Sequence, residues 1–170
     1  ANSVIYTAGR KDGNPALPLR VDSLSKAVHP VDGGALSIKA GGSIRAPEVT
    51  QLMNNWPVRR GQQNDDGSVK VSLNWGIDFK YFNQGVGALG GGAARIAAGG
   101  DIENLSVSLP TTGRDYATQD AGSKLLQTGG ANLDVHADGD IRGAVFHVQR
   151  GEGRIVSGGE MGASREDGPG

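Results

Sequence analysis

The sequence predicts an all-β chain wound as a right-handed parallel β-helix, a β-solenoid with coils of about 20 residues and inserted loops. Three observations carry this expectation. Glycine supplies 29 of 170 residues, well above its usual share, while aromatics stand at 5%. Apolar and polar side chains alternate along short runs, the period of a strand with one buried face. One short string also recurs without gaps at 34–44, 92–102, 131–141 and 151–161, as in Gly34-Ala-Leu-Ser-Ile-Lys-Ala-Gly-Gly-Ser-Ile44 and Gly92-Ala-Ala-Arg-Ile-Ala-Ala-Gly-Gly-Asp-Ile102. Its last apolar residue falls at 44, 102, 141 and 161, intervals of 58, 39 and 20, close to three, two and one multiples of about 19.5. A weaker copy at 67–77 divides the longest interval.

Each copy opens with a strand. Leu36, Ile38 and Ala40 point one way and Ser37 and Lys39 the other; Ile96 and Ala98, then Leu133, Val135 and Ala137, keep the same phase. A corner follows, with glycine at 41, 42, 99, 100, 139, 158 and 159, expected to supply positive φ at little steric cost. A second strand comes next. Leu105, Val107 and Leu109 alternate with Ser106 and Ser108, and Ala144, Phe146 and Val148 stand at the equivalent places. Coil on coil, Ile38, Ile96, Val135 and Ile155 form one interior ladder, and Ile44, Ile102, Ile141 and Met161 another. Alanine at 40, 98 and 137 fits a narrow interior beside the corner. The strong preference of parallel crossovers for one hand favours a right-handed coil. A β-sandwich with Gly-rich hairpins also predicts alternation, but not one string in one register.

Three stretches fit the coil poorly and are expected to bulge as loops: 10–30, 51–66 and 110–127, the last with a helical turn at Gly122-Ser-Lys-Leu-Leu126. Residues 1–170 are expected to form a single β-helix segment of a longer protein, since 164–170 carries no apolar cap.

Charge and composition exclude several classes. With 17 Lys+Arg against 18 Asp+Glu, no nucleic-acid partner held by bulk electrostatics is expected. No apolar run approaches the ~20 residues that cross a bilayer as a helix. Zero cysteines remove a disulfide scaffold, a thiolate metal site and a cysteine nucleophile.

The motifs that could carry chemistry each meet a plainer reading. Gly85-Val-Gly87-Ala-Leu-Gly90 satisfies G-x-G-x-x-G, yet a strand copy follows it where a dinucleotide site needs a helix. Asp138-Gly-Asp140-Ile-Arg142-Gly143 has the start of a calcium loop, but Arg142 stands at a ligand position and Gln149 replaces the bidentate Glu. Ser43, Asp101, Asp140 and Glu160 share one corner position, so carboxylates from neighbouring coils could stack as in polysaccharide-cleaving β-helices, or simply bond local backbone. The aromatics available as sugar platforms are Trp56, Trp75, Phe79, Tyr81, Phe82 and Tyr116. His29, His136 and His147 are too scattered for zinc, with His136 and His147 facing outward. Asn104-Leu-Ser106 is a sequon in form only, on an expected strand. No catalytic, cofactor-binding or metal-ligating residue is assigned, and no cofactor is expected.

The ordered strings at 33–44, 84–92, 98–113 and 139–143, among them Ala98-Gly-Gly-Asp-Ile-Glu-Asn-Leu-Ser-Val-Ser-Leu-Pro-Thr-Thr-Gly113, resemble the large filamentous-haemagglutinin-type exoproteins of Gram-negative bacteria. The resemblance spans most of 33–163 and is that of a stretch of shaft. It implies a long right-handed β-helix exported through an outer-membrane two-partner transporter, then secreted or displayed on the cell surface. The implied role is attachment to a host or bacterial surface receptor or glycan, by presentation and without catalysis. End-to-end self-association through strand edges is a further expectation. The competing expectation is a carbohydrate-active β-helix, a polysaccharide lyase, hydrolase or tailspike-like module; a third is a passive spacer. The placement of Asp101, Asp138 and Asp140 separates the first two: convergence with a basic residue in a groove favours the enzyme, a solvated corner the fibre.

Overall fold

The structure is a computed structural model that describes residues 4–9, 27–51, 55–66, 69–118 and 122–163. Its strands are β1 (Val4–Thr7), β2 (Leu36–Ala40), β3 (Ile44–Arg45), β4 (Pro57–Gln63), β5 (Val69–Ile77) and β6 (Gly85–Ala88). Then come β7 (Ala94–Ala98), β8 (Ile102–Glu103), β9 (Ser106–Leu109), β10 (Thr111–Thr118) and β11 (Gly122–Gly129). The last are β12 (Leu133–Ala137), β13 (Ile141–Arg142), β14 (Val145–Val148), β15 (Gly153–Ser157) and β16 (Met161–Gly162). No helix occurs among the described residues, so the fold is all-β.

Three of its 4-stranded sheets are parallel: a first in the order β1-β6-β9-β14, a second β2-β7-β12-β15, and a third β3-β8-β13-β16. From β6 onward the chain visits them in the rotation first, second, third, three times over, interrupted once, after β9, by β10 and β11. The registers follow the alternation read from the sequence. Ile38 pairs with Ile96, Ile96 with Val135 and Val135 with Ile155. Ile44 pairs with Ile102, Ile102 with Ile141 and Ile141 with Met161. Phe146 meets Val107, and Val148 meets Leu109.

The inward rows build one apolar core. Ile96, Ile102, Val107, Leu109, Leu133 and Val135 are essentially inaccessible, and Ile38, Ile44, Phe146 and Ile155 pack against them from either end. Each such side chain contributes about 1.5–3 kcal/mol by leaving water. Parallel pairing demands this near-continuous apolar interior, because a single line of strands has no other way to bury its face.

A fourth sheet departs from the sequence expectation. The stretches 51–66 and 110–127, read as loops, contain the strands β4, β10 and most of β11, and 67–77, read as a weak copy of the repeat, contains β5. These pair antiparallel in the order β4-β5-β10-β11. The two excursions from the parallel sheets are thus hairpins that find each other, satisfying backbone groups that two separate loops would leave to water. The helical turn expected at Gly122-Ser-Lys-Leu-Leu126 is strand β11. Pro57 opens β4, an edge strand, where its missing N–H costs no ladder bond. Of the expected loop at 10–30, residues 10–26 lie outside the described residues. The rest packs instead of bulging: Val28 bridges to Ile77, and Ala27, His29 and Pro30 are buried.

The fourth sheet brings a second apolar cluster, Trp56, Ile77, Phe82 and Leu89, over the outer face of the first sheet. A side chain at Gly87 of β6 would collide with Phe82 and Leu89, so glycine there lets the cluster seat. Ser106 and Ser108, which alternate with the inward row of β9, are buried for the same reason. A buried glutamine locks the approach. Gln84 Oε1 accepts from the Thr50 and Gln51 amides, both at 3.0 Å, and its Nε2 donates to the Glu48 carbonyl at 2.7 Å.

The corner glycines differ from expectation in cause. Positive φ occurs at Gly9, Gly61, Gly85, Gly91, Gly92, Gly129, Gly130, Gly143 and Gly151, and at none of 41, 42, 99, 100, 139, 158 and 159. Close stacking replaces torsion as the reason. A Cβ on Gly99 would overlap the Gly41 carbonyl, and one on Gly158 the Asp138 carbonyl.

Candidate functional site

The corner carboxylates do not converge; they climb. Ser43 Oγ accepts the Asp101 amide at 3.0 Å, Asp101 Oδ1 accepts the Asp140 amide at 2.9 Å, and Asp140 Oδ1 accepts the Glu160 amide at 2.8 Å. Each side chain therefore supplies the acceptor for the backbone of the next strand's corner. Arg142 closes the line, with Nη2 2.7 Å from Asp140 Oδ2 and 3.1 Å from Glu160 Oε2. Those two contacts raise its pKa further. Asp138 turns away: its Oδ1 accepts from His136 Nε2 at 2.8 Å, and its side chain is 65% exposed. Among the described residues no three His, Cys, Asp or Glu side chains gather as a metal requires. These aspartates line a solvent-facing corner, each spent on a neighbour.

This arrangement makes a test of whether Asp140 works structurally. Asp140→Ala strands the Glu160 amide and leaves Arg142 with Glu160 alone, and is expected to cost about 1–2 kcal/mol. Asp140→Asn keeps the Oδ1 acceptor and should recover most of the melting temperature. Equal losses in the two variants would contradict the backbone role.

The other motifs resolve as backbone features. Gly85 and Gly87 belong to β6, Gly90 precedes a turn into β7, and no helix follows to offer its N-terminus to a phosphate. Asn104 lies in the turn between β8 and β9 with φ 55°, rather than on a strand, and Ser106 is buried at 5% exposure. His147 stands on the outer face of β14 as expected but is covered, its ring 6.3 Å from that of Trp56. Burial, and then the Arg59 charge, hold its pKa below the usual imidazole range.

His29 is a buried titratable group packed beside β5. Its Nε2 lies 2.8 Å from Asn74 Oδ1, while Nδ1 is buried with no hydrogen-bond partner. With Asn74 accepting, the proton sits on Nε2 and the ring is neutral. Desolvation lowers the pKa; the bond to Asn74 opposes this, and the Arg114 charge reinforces it. The unfolded chain therefore takes up a proton that the folded chain refuses. That contribution is intact above the ordinary histidine pKa and is lost as pH falls below it. The melting temperature is expected to drop between pH 7.5 and 5.5, and His29→Gln should flatten part of that slope. An unchanged slope in His29→Gln would assign the drop to other groups.

One concave feature was not legible as a site. Across three adjacent strands Arg59, Trp75 and Gly113 pair in one row. The Trp75 ring lies over Gly113, where a side chain would occupy the same space as its benzo carbons. Its indole N–H donates to Thr111 Oγ1 at 3.2 Å. Gln149 Oε1 accepts from the Thr111 amide at 2.6 Å and from its hydroxyl at 3.0 Å. Arg59, Trp75, Thr111 and Gln149 line an open groove of about 450 Å³. Of the aromatics proposed as sugar platforms, Trp56 and Phe82 are buried in the second cluster, Phe79 packs against it, and Tyr81 is exposed. Of the five whose side chains are described, Trp75 lines this groove. The signal available in sequence was Asp66-Gly67, a hairpin turn pair ahead of the alternating run Val69, Val71 and Leu73.

Comparison of the chain with protein-family models, with curated proteins and with solved structures finds no significant match.

Proposed function

We propose that the three parallel sheets are the faces of a right-handed β-solenoid, and that the chain is a structural segment of a secreted or cell-surface filamentous adhesin. The observation that carries this reading is the register. Ile38, Ile96, Val135 and Ile155 stand in one line, and Ile44, Ile102, Ile141 and Met161 in a second, as stacked coils require; the last step takes 20 residues, while the steps of 58 and 39, expected from the sequence to be three and two coils, are single steps that carry the hairpins β4–β5 and β10–β11. The rotation of the chain through the sheets supports the winding, and the strong preference of parallel crossovers supports the hand. The backbone-directed corner carboxylates support a shaft in preference to a carbohydrate-cleaving module, because they are engaged in holding strands together. The resemblance to filamentous-haemagglutinin-type exoproteins supplies the setting: export through an outer-membrane partner of a Gram-negative cell and attachment without chemistry.

The reading is tested by coating beads with the chain and counting their attachment to epithelial and bacterial cells, with an unfolded variant as control. In parallel, the chain is incubated with polygalacturonate and new reducing or unsaturated ends are measured. Attachment without cleavage is the expected result. Cleavage without attachment would replace the adhesin with the enzyme, and neither would leave a spacer.

A further inference from the structure

From the groove of Arg59, Trp75, Thr111 and Gln149 we infer that this chain binds a carboxylate-bearing pyranose, the repeating unit of an acidic oligosaccharide. A pyranose ring carries an apolar C–H face and a polar rim, and it needs a flat apolar surface flanked by donors. Trp75 is that surface. It is half-buried, its ring is seated against Gly113, and its N–H is already held by Thr111, so little ordering remains to be done on binding. Gln149 spends its oxygen on Thr111, both on the amide and on the hydroxyl, so the group it has left to offer a ligand is the NH2, a donor. Arg59 is exposed and pairs with no carboxylate among the described residues. A guanidinium offers two parallel N–H bonds to a carboxylate, a geometry that a neutral sugar cannot use. The groove's volume lies within the ~300–1,000 Å³ typical of ligand sites, and an opening to solvent suits a chain of sugars rather than an enclosed small molecule.

This inference deepens the attachment reading and rests on it for its setting, yet the two fail separately. A chain that ignores sugars can still be a shaft, and a groove that binds them survives the loss of the solenoid. Binding is measured on the full chain by calorimetry and by tryptophan fluorescence, with trigalacturonate as the acidic probe and maltotriose as the neutral one. Trp56 is fully buried, so a fluorescence change on binding reports Trp75. Trigalacturonate is expected to bind at least tenfold more tightly than maltotriose. Arg59→Gln should erase that preference, the loss falling mainly on trigalacturonate, while leaving the melting temperature unchanged. Gln149→Glu keeps the acceptor that Thr111 needs, and should abolish acidic binding by placing a negative charge in the groove. Trp75→Ala should weaken both sugars more than tenfold, and if it fails to fold, the other two variants still decide. Equal affinity for the two probes, no binding of either, or an unaltered preference in Arg59→Gln and Gln149→Glu would overturn the inference.

Discussion

Val135→Asp is expected to unfold the chain. Val135 is fully buried, paired with Ile96 on one side and Ile155 on the other. Nothing polar is within its row: the flanking rows inward are Leu133 and Ala137, also inaccessible. An aspartate there either keeps its charge and loses its hydration, or takes a proton and still lacks a partner. Together with the lost apolar burial, the cost is about 4–5 kcal/mol. Domains of this size have roughly 5–15 kcal/mol in total, so the folded state would be marginal or absent. Ile96→Asp, in the same row, should behave alike. Lys39→Asp is the control. Lys39 stands one position off the buried phase, on the exposed face of β2, and the change should stay within about 0.5 kcal/mol. Melts followed by far-ultraviolet circular dichroism compare the three; damage from Lys39→Asp equal to that from Val135→Asp would mean that the strands bury the opposite face.

That contrast also marks how far the sequence was legible. The period-two phase of Leu36, Ile38, Leu133 and Val135 was readable because each strand has one apolar face and its neighbour in the sheet repeats it. Repetition turns a weak local pattern into a register. The hairpins β4–β5 and β10–β11 were not readable as a sheet, because they pair across 36 or more residues of intervening chain, as Trp75 with Gly113, and nothing local announces the partner. Val69, Val71 and Leu73 carry the same alternation as the repeat, so 67–77 passed for another copy. The groove was lost with them. Its four lining residues come from β4, β5, the start of β10 and the residue after β14, and only the docking of the antiparallel sheet beside β14 assembles them. The covering of Ser106, Ser108 and His147 was missed for the same reason: the outer face of β9 and β14 lies under a cluster to which Trp56 and Ile77 come from far along the chain.

Gly99→Ala and Gly41→Ala should separate by about 2 kcal/mol, although both replace the first glycine of the same corner. A methyl group on Gly99 would overlap the carbonyl oxygen of Gly41, which is backbone and cannot rotate aside; the Gly99 amide is itself bonded to the Ala40 carbonyl at 3.0 Å. The strands would have to part, weakening the β2–β7 and β3–β8 pairings on either side of the corner. A methyl group on Gly41 meets nothing within 4 Å, because Gly41 belongs to the outermost strand pair. Neither residue has positive φ, so both substitutions share whatever the unfolded chain contributes, and the difference isolates the stacking. Glycine's torsional freedom, the obvious reading of a Gly-Gly corner, predicts instead that the two variants are equally harmful. The measurement is the difference in unfolding free energy from urea titration. A loss in Gly41→Ala as large as in Gly99→Ala would restore the torsional explanation and remove close approach as the reason that the corner excludes side chains.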